Sequence, residues 1–258
     1  MRVVLAVAIM FAAIYSMLPV MLLPGLEEAL EAWPLPGQAA VQVVLTGLVT
    51  LAAVALVALA MRFVDRRPLA EAGWRWSRRA LPALAAGLAA AVATTLGAGL
   101  AVEAAGLTRP LDPADVTGGA PWWVVVPVVL ATAFLLQGIP EELIWRGYVL
   151  QTLPLSPSAA IYVSATVFAA LHVFSSGGQQ SWWEHVVYLA VPFGFSLLAS
   201  GLLLRTGSLW AAVGVHGGLH VALAIGVLWC SIGEGPWLWA TIGLVQSAVG
   251  VWLIRRAA

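Results

Sequence analysis

Lysine is absent from the 258 residues, cysteine occurs once, and charged side chains of both signs together make up only 9%. Each shortage closes off a class of protein. A soluble domain carries about 25% charged residues against about 45–50% apolar ones. Here the apolar share is 62% and the mean hydropathy is +0.96, so an ordinary globule of this composition would be insoluble. Net charge is zero and no basic run continues for long, so nucleic acid is not an expected partner. That every basic residue is arginine needs no more than a GC-rich genome. Cys230 has neither a second cysteine to pair with nor a ligand-spaced partner, which leaves it as a small apolar helix residue. No linker, fixed-period repeat or low-complexity segment divides the chain, so residues 1–258 read as a single transmembrane domain.

What the chain does have is long apolar runs. Eight of them, at roughly 3–23, 39–61, 82–106, 122–152, 158–174, 184–204, 207–229 and 237–254, are separated by loop signals. Each approaches the ~20 residues that a membrane-crossing helix needs. The predicted fold class is therefore all-α: a polytopic membrane protein of about eight transmembrane helices. The first run is about 21 residues, longer than the 7–15 of a secretory signal, and is read as an uncleaved span. Pro82, Pro127, Pro140 and Pro192 fall inside or at the start of spans, which membrane helices tolerate where neighbours satisfy the freed backbone groups.

Arginine asymmetry predicts the orientation. With the N-terminus inside, Arg2, the six arginines between 62 and 79, Arg205, Arg255 and Arg256 all fall on the cytoplasmic side, while only Arg109 falls outside. Short loops rich in Lys and Arg stay inside, so both termini are expected in the cytoplasm, and only an even number of spans satisfies that. Trp122, Trp123, Trp182, Trp183, Trp237 and Trp239 at span ends read as interfacial anchors. Glu103, near the outer end of its helix, reaches the interface.

Three charges resist this scheme. Glu141, Glu142 and Arg146 lie within the fourth run, and His172, His216 and His220 lie within later ones. A central Asp or Arg costs about 2.5–3.5 kcal/mol even on insertion scales, so such residues face a cavity or a partner. Together they predict an active site inside the helix bundle. Glu141 and Glu142 precede the Pro154–Pro157 turn by about 15 residues and His172 follows it by as many. At 1.5 Å per residue both rise roughly 20–23 Å from it and meet at equal depth. The fourth helix, about 46 Å long by the same measure, must tilt, kink at Pro140 or extend beyond the bilayer. Glu142 and Arg146 are spaced i, i+4 in the favourable order and predict an intrahelical ion pair. Glu141 points about 100° away from Glu142, free to face His172, and suits a residue that takes a proton from water and returns it to a leaving group. His216 and His220 share one helix face. Gly214, Gly217 and Gly218 around them predict close helix packing and room for a substrate backbone.

In order and spacing these residues resemble a known family. Glu141-Glu142-Leu143-Ile144-Trp145-Arg146-Gly147 resembles the EExxxRG motif of the CAAX-protease and bacteriocin-processing (CPBP, abortive-infection-like) membrane proteins. Phe168-x-x-x-His172 resembles the second motif of that family, and His216-x-x-x-His220 its HxxxN-type third. The resemblance covers residues 120–230, which it implies to be a catalytic core, and leaves the first three spans without a motif. It implies that Glu141 and His172 activate the attacking water, that His216 and the residue at 220 steady the oxyanion, and that Glu142 and Arg146 support the helix. Two positions depart from the pattern: His220 replaces Asn, and Trp145 replaces Phe.

Two mechanisms remain open on these residues. One is a metal-free glutamate protease in which a neutral imidazole N–H of His220 still donates to the oxyanion. The other is a metalloprotease in which His172, His216 and His220, with or without Glu141, hold Zn²⁺. The Asn of relatives is a poor zinc ligand, which favours the first. The expected function is an intramembrane endopeptidase acting on a peptide or protein at the lipid bilayer, in a bacterial inner (cell) membrane. A non-catalytic peptide-binding relative, as an immunity or chaperone factor, is the alternative. A proton-coupled transporter fits poorly, because no pair of interrupted helices occupies corresponding halves. A prenylated CAAX substrate would be inherited from the resemblance alone, and oligomeric state leaves no trace in the sequence.

Overall fold

Eight helices long and apolar enough to cross a membrane make up most of the protein, whose computed structural model describes residues 1–257. They are Arg2–Met21, Leu35–Asp65, Ala80–Ala104, Trp122–Thr152, Pro157–Phe174, Trp182–Thr206, Leu209–Cys230 and Pro236–Arg255, numbered here as the first to eighth spans. Every predicted run finds its helix, with ends shifted by a few residues. The second begins earlier than expected, at Leu35, because Pro36 sits in its first turn, where a missing N–H leaves nothing unsatisfied. Among the described residues there is no strand, only an isolated antiparallel bridge between Arg109 and Glu234. The chain is an integral membrane protein of all-α architecture.

Small residues set how closely the spans approach. The third and seventh pack through Gly87, Gly214 and Gly218; a Cβ at Gly87 would lie 2.8 Å from the Val215 nitrogen, and one at Gly218 would lie 3.0 Å from Leu88 Cα. The sixth and eighth pack through Gly194, Gly201, Gly243 and Gly250, where a Cβ at Gly194 would lie 2.8 Å from Gly243 Cα. Without a hydrophobic driving force between helices in lipid, such backbone proximity is the main source of association. The first span packs on the second and on the fourth around 143–149.

The fourth span is the unusual one. It runs unbroken through 31 residues, but its turns widen to π geometry over Ala131–Gly138 and again over Leu143–Val149, leaving one α-helical turn, Ile139–Glu142, between them. Pro140 lacks an N–H, and its ring crowds the carbonyl one turn back. Widened turns absorb that conflict and often mark functional sites. Gly147 follows from the same packing: a Cβ there would lie 2.6 Å from the Ala72 carbonyl oxygen, in the short turn Leu69–Ala72 tucked beneath the span.

Charges separate by face. Contacts between span ends gather ten arginines on one face: Arg2 Nε bonds Asp65 (2.7 Å), Arg67 the Gln151 carbonyl (3.2 Å), and Arg205 the Arg256 carbonyl (3.1 Å). The opposite ends carry Arg109 as their single arginine, together with Glu103, Glu184, Glu234 and five further carboxylates. Five of the six tryptophans expected as anchors are exposed by half or more, but Trp239 is only 4% exposed. It is a core residue, edge-on to Tyr188 at 5.6 Å. Glu103, at the outer end of the third span, accepts hydrogen bonds from Thr108 Oγ1 (2.5 Å) and the Gly233 amide (3.0 Å).

Candidate active site

The single α-turn of the fourth span delivers Glu141 and Glu142 inward, both buried. Arg146, one turn on, donates from Nη1 to Glu142 Oε1 at 3.0 Å, forming the ion pair its spacing predicts. The pair is dry, at 1% and 0% side-chain exposure. The guanidinium also lies 5.0 Å from the centre of the Phe168 ring and 5.7 Å from that of Phe195, where ring faces add attraction for a cation.

Glu142 does more than hold its own helix. The same Oε1 accepts a hydrogen bond from Nδ1 of His216, 2.9 Å away on the seventh span. A carboxylate can only accept, so the partner assigns the hydrogen to Nδ1 and leaves Nε2 of a neutral His216 as a lone pair. His172 is oriented in the same way: its Nδ1 lies 2.8 Å from the Phe168 carbonyl oxygen, again an acceptor only, so its Nε2 is bare. His220 stacks on His216 with ring centres 5.3 Å apart and planes at 24°, as their i, i+4 spacing predicts.

Phe168 connects the groups. Its ring, fully buried, lies 4.4 Å from His172, 6.2 Å from His216 and edge-on to Trp145 at 5.7 Å. Glu141 is 8% exposed, and its Oε2 has no protein partner. Among the described residues no hydrogen bond joins Glu141 to His172. His172 also stands at the outermost turn of its short helix, where it caps Pro157–Leu171 and opens the turn His172–Phe174. The expected room for a substrate backbone beside the glycines is absent. Gly214 and Gly218 are covered by the third span and Gly217 by the Phe134 ring, because small residues were used to close the bundle there.

Neutral His172 and His216 present the lone pairs a metal needs. The set nevertheless does not fit one: among the described residues no three His, Cys, Asp or Glu side chains lie close enough together to hold a metal ion. His216 and His220 stack faces, and Nδ1 of His216 is engaged by Glu142.

Residues 121–222 match the family model described as type II CAAX prenyl endopeptidase Rce1-like. The match spans less than half of the chain. It opens at the fourth span and closes two residues after His220, so it contains Glu141, Glu142, Arg146, Phe168, His172, His216 and His220. The first three spans and the eighth lie outside it. No curated protein and no solved structure matches the chain.

A clamp among the outer connections escaped the sequence reading. Arg109 makes a forked ion pair with Glu184 (2.7 and 3.0 Å), donates to the Gly178 carbonyl (2.8 Å), and lies 3.7 Å from Glu234 and 5.7 Å from the centre of the Trp239 ring. Its hydrogen bond to Glu184 holds the guanidinium above its ordinary pKa, while burial pushes the Glu234 carboxyl up against the pull of Arg109. Three outer connections are tied together, one of them the loop that directly follows His172. The available signal was an acid, Glu184, two residues into an otherwise apolar span. Arg109→Ala leaves Glu184 with only the Gln180 amide (3.0 Å) as a partner and is expected to loosen the outer connections. Amide exchange should accelerate over 175–181, and Arg109→Lys should restore only part of the protection because it lacks the fork. Unchanged exchange would mean that the loop holds itself.

An apolar cleft of about 560 Å³ opens between the second, fourth and seventh spans, lined by Gln38, Gln42, Val124, Val128, Leu223 and Val227 among others. None of the candidate residues lines it, but Leu223 follows His220 by less than one turn.

Proposed function

We propose that this protein is an intramembrane endopeptidase that hydrolyses a peptide bond with water activated by Glu141 and His172. The observation that carries the reading is that the residues matching the family model hold two bare acceptors: the unpartnered Oε2 of buried Glu141 and the Nε2 that Phe168 leaves without a proton on His172. A water held between them gives its proton to Glu141 as its oxygen attacks the carbonyl carbon. The same proton then passes to the departing amine when the C–N bond breaks. His220, whose ring nitrogens have no protein hydrogen bond among the described residues, donates to the oxyanion. His216 contributes a second donor only as an imidazolium, stabilised by the Glu142 carboxylate on its far nitrogen, in the way a buried acid supports a catalytic histidine.

We infer that the substrate is a peptide segment already in or at the bilayer, because the candidate residues lie within apolar spans and a cleft opens among apolar residues of the second, fourth and seventh spans. The ten-arginine face supports a reading with both termini in the cytoplasm of a bacterial cell. A prenyl group is no necessary part of such a substrate. Comparing new N-termini in membranes containing the wild-type protein and Glu141→Gln tests the reading. Cleavage products should appear only with the wild type. Identical peptide ends in both, with biological activity retained, would favour a binding role.

Because the histidines and carboxylates form no ligand set, hydrolysis is expected to proceed without metal. Incubating the purified protein with a membrane-permeant chelator should leave cleavage within twofold of the untreated rate. A loss restored by Zn²⁺ would overturn the metal-free mechanism.

A further inference from the structure

The connection between the second and third spans holds more positive charge than it neutralises. Its two acids are both engaged: Asp65 by Arg2 at 2.7 Å and Glu71 by Arg67 at 3.8 Å. Arg62, Arg66, Arg75, Arg78 and Arg79 have no carboxylate within salt-bridge distance among the described residues. Charge asymmetry of this sign serves orientation, but orientation requires only the charges and not their convergence. Here two of them converge. Arg78 and Arg79, with Pro82, Ala83 and Thr206, line a recess of about 410 Å³ between the start of the third span and the end of the sixth.

Trp74 and Trp76 of the same connection pack on Trp210 with ring centres 5.6 and 5.0 Å away, and Trp76 is 68% exposed, as tryptophans at headgroup level are. Trp210 Nε1 donates to the Arg75 carbonyl at 3.0 Å and pins the connection to the seventh span. The turn that presents the two arginines is closed by the Ala80 amide on the Ser77 carbonyl (2.8 Å) and the Arg79 amide on Ser77 Oγ (3.3 Å). Thr206 spends its hydroxyl proton on the Leu202 carbonyl (2.8 Å), so recognition falls to the guanidinium groups. Their planar forks match phosphate oxygens in pairs.

We propose that this recess is a binding site for the phosphate of an anionic phospholipid, with Arg78 and Arg79 as its ligands and the Pro82–Ala83 wall against the first part of the acyl region. Basic recesses between spans at headgroup level take acidic lipid heads in this way. The proposal needs no peptidase activity and stands apart from it.

Native mass spectrometry of the full chain, titrated with phosphatidylglycerol or phosphatidylcholine, tests it. Wild type should retain phosphatidylglycerol preferentially, and Arg78→Ala/Arg79→Ala should weaken that retention on the order of tenfold or more. Arg62→Ala/Arg66→Ala removes the same charge elsewhere on the face and should change it less than threefold. Arg78→Lys/Arg79→Lys, which keeps the charge and spares the fold, should bind at an intermediate level. Equal loss in both alanine pairs would reduce the site to diffuse surface charge and overturn the proposal. So would the absence of any preference between the two lipids, or displacement by millimolar inorganic phosphate, which would mark a site for the free ion.

Discussion

Glu141→Gln is expected to lower the rate of peptide cleavage by about 10²–10⁴-fold while leaving the protein as stable as the wild type or more so. The two halves of that expectation have separate causes. Rate falls because the amide cannot take the proton of water. Stability holds because Glu141 makes no hydrogen bond through Oε2, whereas the Arg146 guanidinium is bonded to Glu142. Removing a buried charge that lacks a partner relieves desolvation. Cleavage of a membrane-embedded reporter and the apparent unfolding midpoint in detergent, read on one preparation, check both halves. Full cleavage by Glu141→Gln would remove Glu141 from the mechanism, whatever happened to stability.

Glu142→Ala is expected to do the opposite: destabilise first and abolish activity as a consequence. Glu142 Oε1 serves Arg146 and His216 together, at 3.0 and 2.9 Å. Without it the guanidinium is left 1% exposed and unpaired. Breaking a buried pair from one side costs about 3–5 kcal/mol, a large part of the stability of an ordinary domain. Yield and melting midpoint should both drop. Glu142→Gln, which keeps the shape and one acceptor oxygen, should recover part of the fold but leave His216 without a carboxylate to stabilise its imidazolium, so activity should stay low. The double variant Glu142→Ala/Arg146→Met should regain stability relative to Glu142→Ala, since the stranded charge is gone. A Glu142→Ala protein that melts with the wild type would contradict the shared role.

The difference between the two neighbours was only partly legible beforehand. That Glu142 pairs with Arg146 follows from helical spacing, because i and i+4 meet on any α-helix. That the same oxygen reaches His216, 74 positions away, follows from no local rule. It depends on how near the fourth and seventh spans come, and that is set by Gly138 and Gly217 facing each other. The same limit explains the glycine run: small residues announced close packing but not whose backbone would fill the space. The Arg109 clamp was missed because its partners come from three connections, and Trp239 was misplaced because an aromatic at a span end looks the same facing lipid or facing a neighbour.

What the sequence by itself determined, then, is everything written at the scale of one helix: eight apolar spans, the segregation of arginine to one face, the Glu142–Arg146 pair, the stacked His216 and His220. These depend on composition, length and the 3.6-residue period, which are properties of the chain before it packs. Only the tertiary structure decided which nitrogen of His172 and His216 carries the hydrogen and which carboxylate stands without a partner. A lone pair's direction is set by its nearest acceptor, and those acceptors arrive from other helices or from the turn at a helix end, where the rest of the fold holds them.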